Sequence, residues 1–311
     1  MPASLLVTSY VNPDLDGVAG AVAYGEFLAQ TNQENTVAFI GELHQETKFV
    51  LNYFSLQHPL IIDNTDSFDQ IILVDSSDLA ALEGHINPAK VIEIIDHRSL
   101  HETDKFSNAK SQIELVGAAA TLVAERFMNS HIVLSKSSAI LLYSAIISNT
   151  LNFKGSITTE RDRFAATYLN NIAELPSDYW RQLFTAKSDL SGSKLKATLA
   201  GDFATFSINN NRLGIAQVEV MNVKQLIASR VAEITEALTG LQSDNSLDFI
   251  FLNLLDLETG TNYLVTSDLN TQALLSSVFS ASFANCVALN NPPLMRKQIV
   301  PLIKAELELN S

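Results

Sequence analysis

Three short apolar runs, two closed directly by an acidic residue and one followed by an acidic pair a short loop later, constrain the fold of this chain more than any other feature. Ser4-Leu5-Leu6-Val7-Thr8 is apolar and β-prone, and Asn12-Pro13-Asp14-Leu15-Asp16 follows it. Ile71-Ile72-Leu73-Val74 ends in Asp75, and Val91-Ile92-Glu93-Ile94-Ile95 ends in Asp96-His97. Runs of this kind read as buried strands. After Asp16, the residues Val18, Ala19, Val22, Ala23 and Phe27, with small residues between them, read as a helix packed on a sheet. If the three strands are parallel neighbours, their carboxyl ends converge at one edge, where open α/β sheets bind ligands. Asp14, Asp16, Asp75 and His97 then make three carboxylates and one imidazole, a set suited to manganese or a similar divalent ion. Taken alone, Asp14-Leu15-Asp16 reads equally as a helix N-cap, for which Asp is a preferred residue. The recurrence at three strand ends tips the reading toward metal, with an acidic surface edge as the lesser alternative.

The rest of the chain bounds the classes of function. Its 311 residues suffice for two domains, and 47% hydrophobic residues mark a globular chain. With 34 acidic against 20 basic residues the net charge is −14. That opposes binding to a nucleic acid duplex or an anionic membrane, both of which reward a basic surface. Metal ions and a few focused cations would still let an acidic chain hold a small phosphate compound. No apolar run reaches the ~18 residues of a membrane span, and no secretory signal is recognised at the N-terminus. The single Cys286 excludes an intramolecular disulfide and fits a reducing, cytoplasmic setting.

Strand and helix patterns alternate up to about residue 185, which predicts a mostly parallel sheet covered on both faces. Strands are expected at 5–8, 36–40, 60–62, 71–74 and 91–95. Helices are expected at 17–30, 47–54, 117–128, 136–148 and 159–172. The polar, small-residue stretch from Thr185 to Lys194 is the best linker candidate. Beyond it, strands at 203–208, 212–220, 248–255 and 261–265 and helices at 223–238 and 270–279 predict a smaller α+β domain. Near the C-terminus, Arg296-Lys297 lies among apolar residues and prolines. It reads either as a solvated loop or strand edge, or as an anion clamp with Arg bidentate and Lys a point charge.

The order of these segments resembles the DHH phosphoesterase superfamily, and most closely its manganese-dependent (family II) inorganic pyrophosphatases. The resemblance rests on Asn12-Pro13-Asp14-Leu15-Asp16, Val74-Asp75, Asp96-His97-Arg98, Val116-Gly117-Ala118-Ala119-Ala120-Thr121, Ser148-Asn149-Thr150-Leu151-Asn152-Phe153 and Arg296-Lys297-Gln298-Ile299-Val300-Pro301. It covers essentially the whole chain. It implies one metal at the positions of Tyr10, Asp14 and Asp75, and another at Asp16, Asp75, His97 and Asn149. The departures fall on the chemistry. Tyr10 stands where the family carries a metal-binding His, Asn149 where it carries a carboxylate, Arg98 where it carries a second His, and Ala204 where it carries a Lys. The metal shell thereby loses one negative charge, while two-metal hydrolysis asks for both ions. Animal prune-type members also resemble this chain in having Asp-His-Arg at that place.

The resulting expectation is an α/β protein. A parallel-sheet DHH-type metal-binding domain at 1–187 and a linker at 188–194 precede a smaller α+β, DHHA2-like phosphate-binding domain at 195–311, with the active site in a cleft between domains. The resemblance implies a phosphoanhydride hydrolase using Mn2+, with Co2+ or Mg2+ as alternatives. Metal falls to Asp14, Asp16, Asp75, His97 and Asn149, catalysis to Asp75, His97 and Arg98, and phosphate binding to Arg98, Arg296 and Lys297. Pyrophosphate is the leading substrate; short-chain polyphosphate or a nucleotide, as in prune-type members, is the runner-up. The rival from another class is a pseudoenzyme that binds phosphate compounds without turnover. The resemblance also implies a homodimer. Asp96 is expected to orient the His97 imidazole or to cap the following turn, Asp78 to act as a cap, and His101 to be solvated.

Overall fold

The computed structural model describes residues 4–98, 101–188, 190, 194–292 and 294–309, and the chain divides into two compact units, Met1–Ala186 and Lys187–Ser311. In the first unit β1 (Leu5–Thr8), β2 (Thr36–Ile40), β3 (Leu60–Ile62), β4 (Gln70–Val74), β5 (Val91–Asp96) and β6 (Lys110–Ile113) form one sheet in the order β3-β2-β1-β4-β5-β6. Every pairing is parallel, with Leu6 beside Ile71 and Val74 beside Ile95. Chain direction across the sheet reverses between β1 and β4. That switch point opens a crevice at the carboxyl ends of those two strands.

The helices of this unit are α1 (Leu15–Gln30), α2 (Gln45–Tyr53), α3 (Ala119–Ser130), α4 (Lys136–Asn149), α5 (Glu160–Ala173) and α6 (Tyr179–Lys187). Small residues on α1 let it lie close to the sheet and to α3 and α4. Gly20 shows how close: a Cβ there would come 2.6 Å from Val74 Cγ1 on β4. The other sheet face carries Leu6, Ile71, Leu73 and Ile94, covered by Leu82, Ile86 and Phe106 from the connections. Each such buried side chain contributes roughly 1.5–3 kcal/mol.

In the second unit α7 (Lys194–Gly201) and α8 (Val223–Asp244) cover one face of a mixed sheet, and α9 (Leu269–Phe279) and α10 (Arg296–Leu309) cover the other. Its strands β7 (Phe203–Ile208), β8 (Asn211–Val220), β9 (Phe249–Asp256), β10 (Asn262–Val265) and β11 (Val287–Asn290) lie in the order β11-β10-β9-β8-β7. Only β8 and β9 pair in parallel. Strand alternation feeds both cores: Ile250, Leu252 and Leu254 face α7 and α8, while Phe251 faces α9 and α10.

Several elements differ from expectation. β6 and β11 are short edge strands whose polar or mixed residues carry little apolar signal. The stretch around Arg296, expected as a loop or strand edge, begins α10. The Gln298 side chain accepts from the Met295 N–H at 2.9 Å, half of a capping box, and Pro301 sits inside the helix. Residues 189 and 191–193 of the expected linker lie outside the described residues. Its neighbours pack onto the second unit: Ser188 Oγ accepts from Met221 N, and Leu190 joins the core. Among the described residues no helix is long and apolar enough to cross a membrane.

Candidate metal centre

The carboxyl ends of β1, β4 and β5 bring Asp16, Asp75 and His97 together. One ligand atom from each lies within 4.8 Å of the others. Each is positioned by a local backbone device. Asp14 caps α1, its Oδ1 accepting from Asp16 N at 2.9 Å and Gly17 N at 3.1 Å, which starts the helix with Asp16 in its first turn. Asp75 leaves β4 in the left-handed region, φ 60°, a conformation that Asp tolerates better than most residues. Its N–H donates to Ile95 O at 2.8 Å, tying the turn to β5. His97 follows β5 directly, and its N–H donates to Asp96 Oδ1 at 2.7 Å.

His97 Nδ1 lies 2.9 Å from Val116 O. A carbonyl only accepts, so Nδ1 carries the hydrogen and Nε2 is the atom turned on the carboxylates, 3.4 Å from Asp75 Oδ1 and 3.6 Å from Asp16 Oδ2. Asp16 is wholly buried. Its oxygens accept from Ala119 N and Ala120 N, both at 2.8 Å, where α3 begins. A helix N-terminus favours negative charge, so these N–H groups hold Asp16 in place. Gly117 helps to set that loop. Its N–H donates to both Asp162 oxygens at 2.9 Å, and a Cβ would meet Thr150 Cγ2 at 2.5 Å.

Burial raises Asp16 well above the usual carboxylate range, and the nearby Asp75 adds to this. Burial likewise lifts Asp75 to about 6, against the pull of His97. Burial alone would lower His97, but the facing Asp75 and Asp16 carboxylates outweigh it and push it up to about 10. Two buried carboxylates thus share the positive charge of one imidazolium. Asp75 Oδ1 is buried without a hydrogen bond, as are Ser76 Oγ next to it in sequence and Thr8 Oγ1 and Ser9 Oγ at the end of β1. A divalent cation satisfies both needs: it neutralises the carboxylates and bonds Asp75 Oδ1, which faces His97 Nε2 at 3.4 Å without a hydrogen bond. The residues present fit a hard or borderline ion of the manganese type.

The other expected residues take different places. Asp14 spends Oδ1 on the α1 cap. Asn149 turns its amide on Asp16, Nδ2 donating to Oδ2 at 2.7 Å, so it acts as a donor to a carboxylate. The Tyr10 hydroxyl accepts from Asp14 N at 3.2 Å, and burial beside Asp14 and Asp75 pushes its acidity further from neutrality. Arg98 donates to Asp75 O at 3.0 Å and Asp78 Oδ2 at 3.1 Å, and its guanidinium lies 5.2 Å from the centre of the Tyr10 ring. Asp96 caps the turn and meets Ser77 Oγ, while the His97 ring is oriented by Val116 O. Asp78 both caps, accepting from Ala81 N, and anchors Arg98. His101 is exposed beside Thr103, and Ser99 and Leu100 before it lie outside the described residues.

In the second unit the Arg296 guanidinium pairs with Asp202 Oδ1 at 2.7 Å and donates to Asp202 O and Ile215 O. Ile215 lies across from Ala204. Lys297, the next residue of α10, is exposed. Sequence reasoning missed the donors Ala119 N and Ala120 N and the acceptor Val116 O. Backbone groups leave no residue-type signal, although the small-residue run 117–120 marked where the backbone had to come close.

Residues 4–146 match the DHH family N-terminal domain and residues 181–305 match the DHHA2 domain. The manganese-dependent inorganic pyrophosphatase of Methanothrix thermoacetophila is 29% identical over 310 residues, 98% of this chain and 99% of the relative. A solved Methanococcus jannaschii structure, described as a "putative family II inorganic pyrophosphatase", is 28% identical, with a TM-score of 0.70, covering 98% of this chain and 99% of that one. An exopolyphosphatase-related protein from Bacteroides fragilis, 15% identical, covers 99% of this chain and 92% of that one at a TM-score of 0.52, and shares the fold. With both domains matched in order and the relatives aligned end to end, the chain belongs to the DHH superfamily and resembles its family II inorganic pyrophosphatases.

Proposed function

We propose that the chain is a metal-dependent phosphoanhydride hydrolase acting on inorganic pyrophosphate, with Mn2+ held by Asp16, Asp75 and His97. The observation that carries this reading is the cluster itself: two buried carboxylates facing an imidazole whose Nδ1 hydrogen is already committed to Val116 O. Relatives bearing the pyrophosphatase name along the full chain support the same choice of substrate and metal. When bound, such an ion supplies an acidified water and polarises a phosphoryl oxygen. Around it, Ala119 N, Ala120 N and Asn149 keep Asp16 fixed, and Val116 O keeps Nε2 turned inward. Arg98, Arg296 and Lys297 bind substrate phosphate in this reading, Asp14 adds negative charge near the ion, and the assembly is a cytoplasmic homodimer.

The test is phosphate release from pyrophosphate, tripolyphosphate and nucleoside triphosphates, run with bound metal measured on the same samples. Manganese-dependent release from pyrophosphate supports the proposal. Preference for tripolyphosphate or a nucleotide would reassign the substrate. A chain that binds Mn2+ and the pyrophosphate analogue imidodiphosphate but turns over none of them is the phosphate-binding pseudoenzyme, which the amide at Asn149 and the protein-held Arg98 favour.

A further inference from the structure

We infer that Arg98 is a built-in second cation: its guanidinium does for the outer side of Asp75 what a second metal ion would do, so that the chain works with one divalent ion and one arginine. This rests on the reading above that Asp16, Asp75 and His97 hold metal.

The geometry divides Asp75 between two cations. Its Oδ1 faces His97 Nε2 at 3.4 Å, on the side of the proposed ion. Its Oδ2 lies 3.9 Å from Arg98 Nη2, on the other side. A carboxylate with one oxygen toward each of two positive centres is the arrangement of a bridging ligand, and here one centre is a guanidinium. Arg98 is placed with care. Asp75 O and Asp78 Oδ2 hold Nη2 and Nη1, Asp96 Oδ1 lies 3.8 Å from Nε, and the Tyr10 ring backs the planar group. Tyr10 also contributes a neutral hydroxyl, a poor ligand for a hard cation, where an acidic or imidazole side chain would invite one. The Arg98 side chain stays 31% exposed. An arginine there offers planar, bidentate donors to a phosphate oxygen and keeps its charge at all physiological pH. A second divalent ion next to it would meet like charge across Asp75.

The experiment uses the full-length protein and Mn2+ as the probe. Equilibrium dialysis with metal analysis gives the stoichiometry, and Mn2+ electron paramagnetic resonance distinguishes isolated from exchange-coupled ions. Imidodiphosphate affinity is measured in parallel, and circular dichroism checks folding. Expected results are one uncoupled Mn2+ per wild-type chain, the same for Arg98→Lys, and two coupled ions for the double variant Tyr10→His, Arg98→His. Arg98→Ala should bind its single Mn2+ about tenfold or more tightly, because a like charge has gone. The same variant should bind imidodiphosphate about tenfold or more weakly, because a charge-assisted donor has gone. Opposite changes of that kind do not arise from a merely structural arginine, whose loss would weaken both. Two ions per wild-type chain overturn the inference, as does an Arg98→Ala variant that weakens both ligands or neither. Wild-type protein that binds no Mn2+ removes the metal centre and both readings. One ion per chain with the opposite changes intact, but no phosphate released from any substrate, removes the proposed activity and supports the role of Arg98.

Discussion

Replacing Asn149 by Asp tests the electrostatics of the centre most directly. In the native chain the Asn149 amide donates to Asp16 Oδ2 at 2.7 Å, deep against a wholly buried carboxylate. Two ionised carboxylates at that separation repel by about 6 kcal/mol at an effective dielectric of about 20. Taking up a proton is the alternative. For a carboxyl with an ordinary value near 3.9 this costs about 4 kcal/mol at pH 7 and about 1.5 kcal/mol at pH 5. The cheaper route wins, and the protonated carboxyl then donates to Asp16 as the amide did. The raised value in the folded state means that the penalty grows as pH climbs above the unfolded value. Asn149→Asp should therefore lose up to about 4 kcal/mol of stability at pH 7 in EDTA and up to about 1.5 kcal/mol at pH 5, the loss being smaller to the extent that Asp16, already raised by burial, takes the proton. Mn2+ should recover most of the loss, since an ion replaces the proton between the carboxylates. Urea unfolding followed by the single Trp180, which lies on α6 in the first unit, reads this out. A variant as stable as its parent in EDTA at pH 7, or equally destabilised at both pH values, would refute the reasoning.

Other outcomes follow from the same geometry. Asp75→Asn should abolish tight Mn2+ binding, measured by isothermal titration, because it removes the carboxylate whose buried Oδ1 lacks a hydrogen bond. Mn2+ affinity should rise with pH toward about 10, because His97 must give up a proton before Nε2 binds the ion; release of about one proton per ion at pH 7 should appear as a buffer-dependent heat of binding. In EDTA, His97 stabilises the metal-free fold fully below pH 6.5, and that contribution is lost as pH rises through about 10. Lys297→Ala should weaken imidodiphosphate binding by roughly 1.5–3 kcal/mol without changing stability, whereas Arg296→Ala should also destabilise the second unit by breaking the 2.7 Å pair with Asp202. Unchanged affinity in both variants would return these cations to a surface role.

By itself the sequence determined the parallel α/β class and the central strands, and it singled out Asp16, Asp75 and His97, which the fold brings together. The apolar runs of β1, β4 and β5 fit a doubly covered sheet, and the acidic residues and His97 that follow them are then carried to the same edge. Set against the family resemblance, it also singled out Tyr10, Arg98, Asn149 and Ala204, because a residue inside a motif is visible one at a time. Only the tertiary structure decided what those residues touch. That Asn149 donates to Asp16, that Arg98 faces the outer oxygen of Asp75, and that Arg296 is held by Asp202 all depend on side-chain directions set by packing between distant segments. The backbone partners of the centre, Ala119 N, Ala120 N and Val116 O, were equally out of reach, since every residue carries the same main-chain groups and only the fold chooses which of them meet a buried charge.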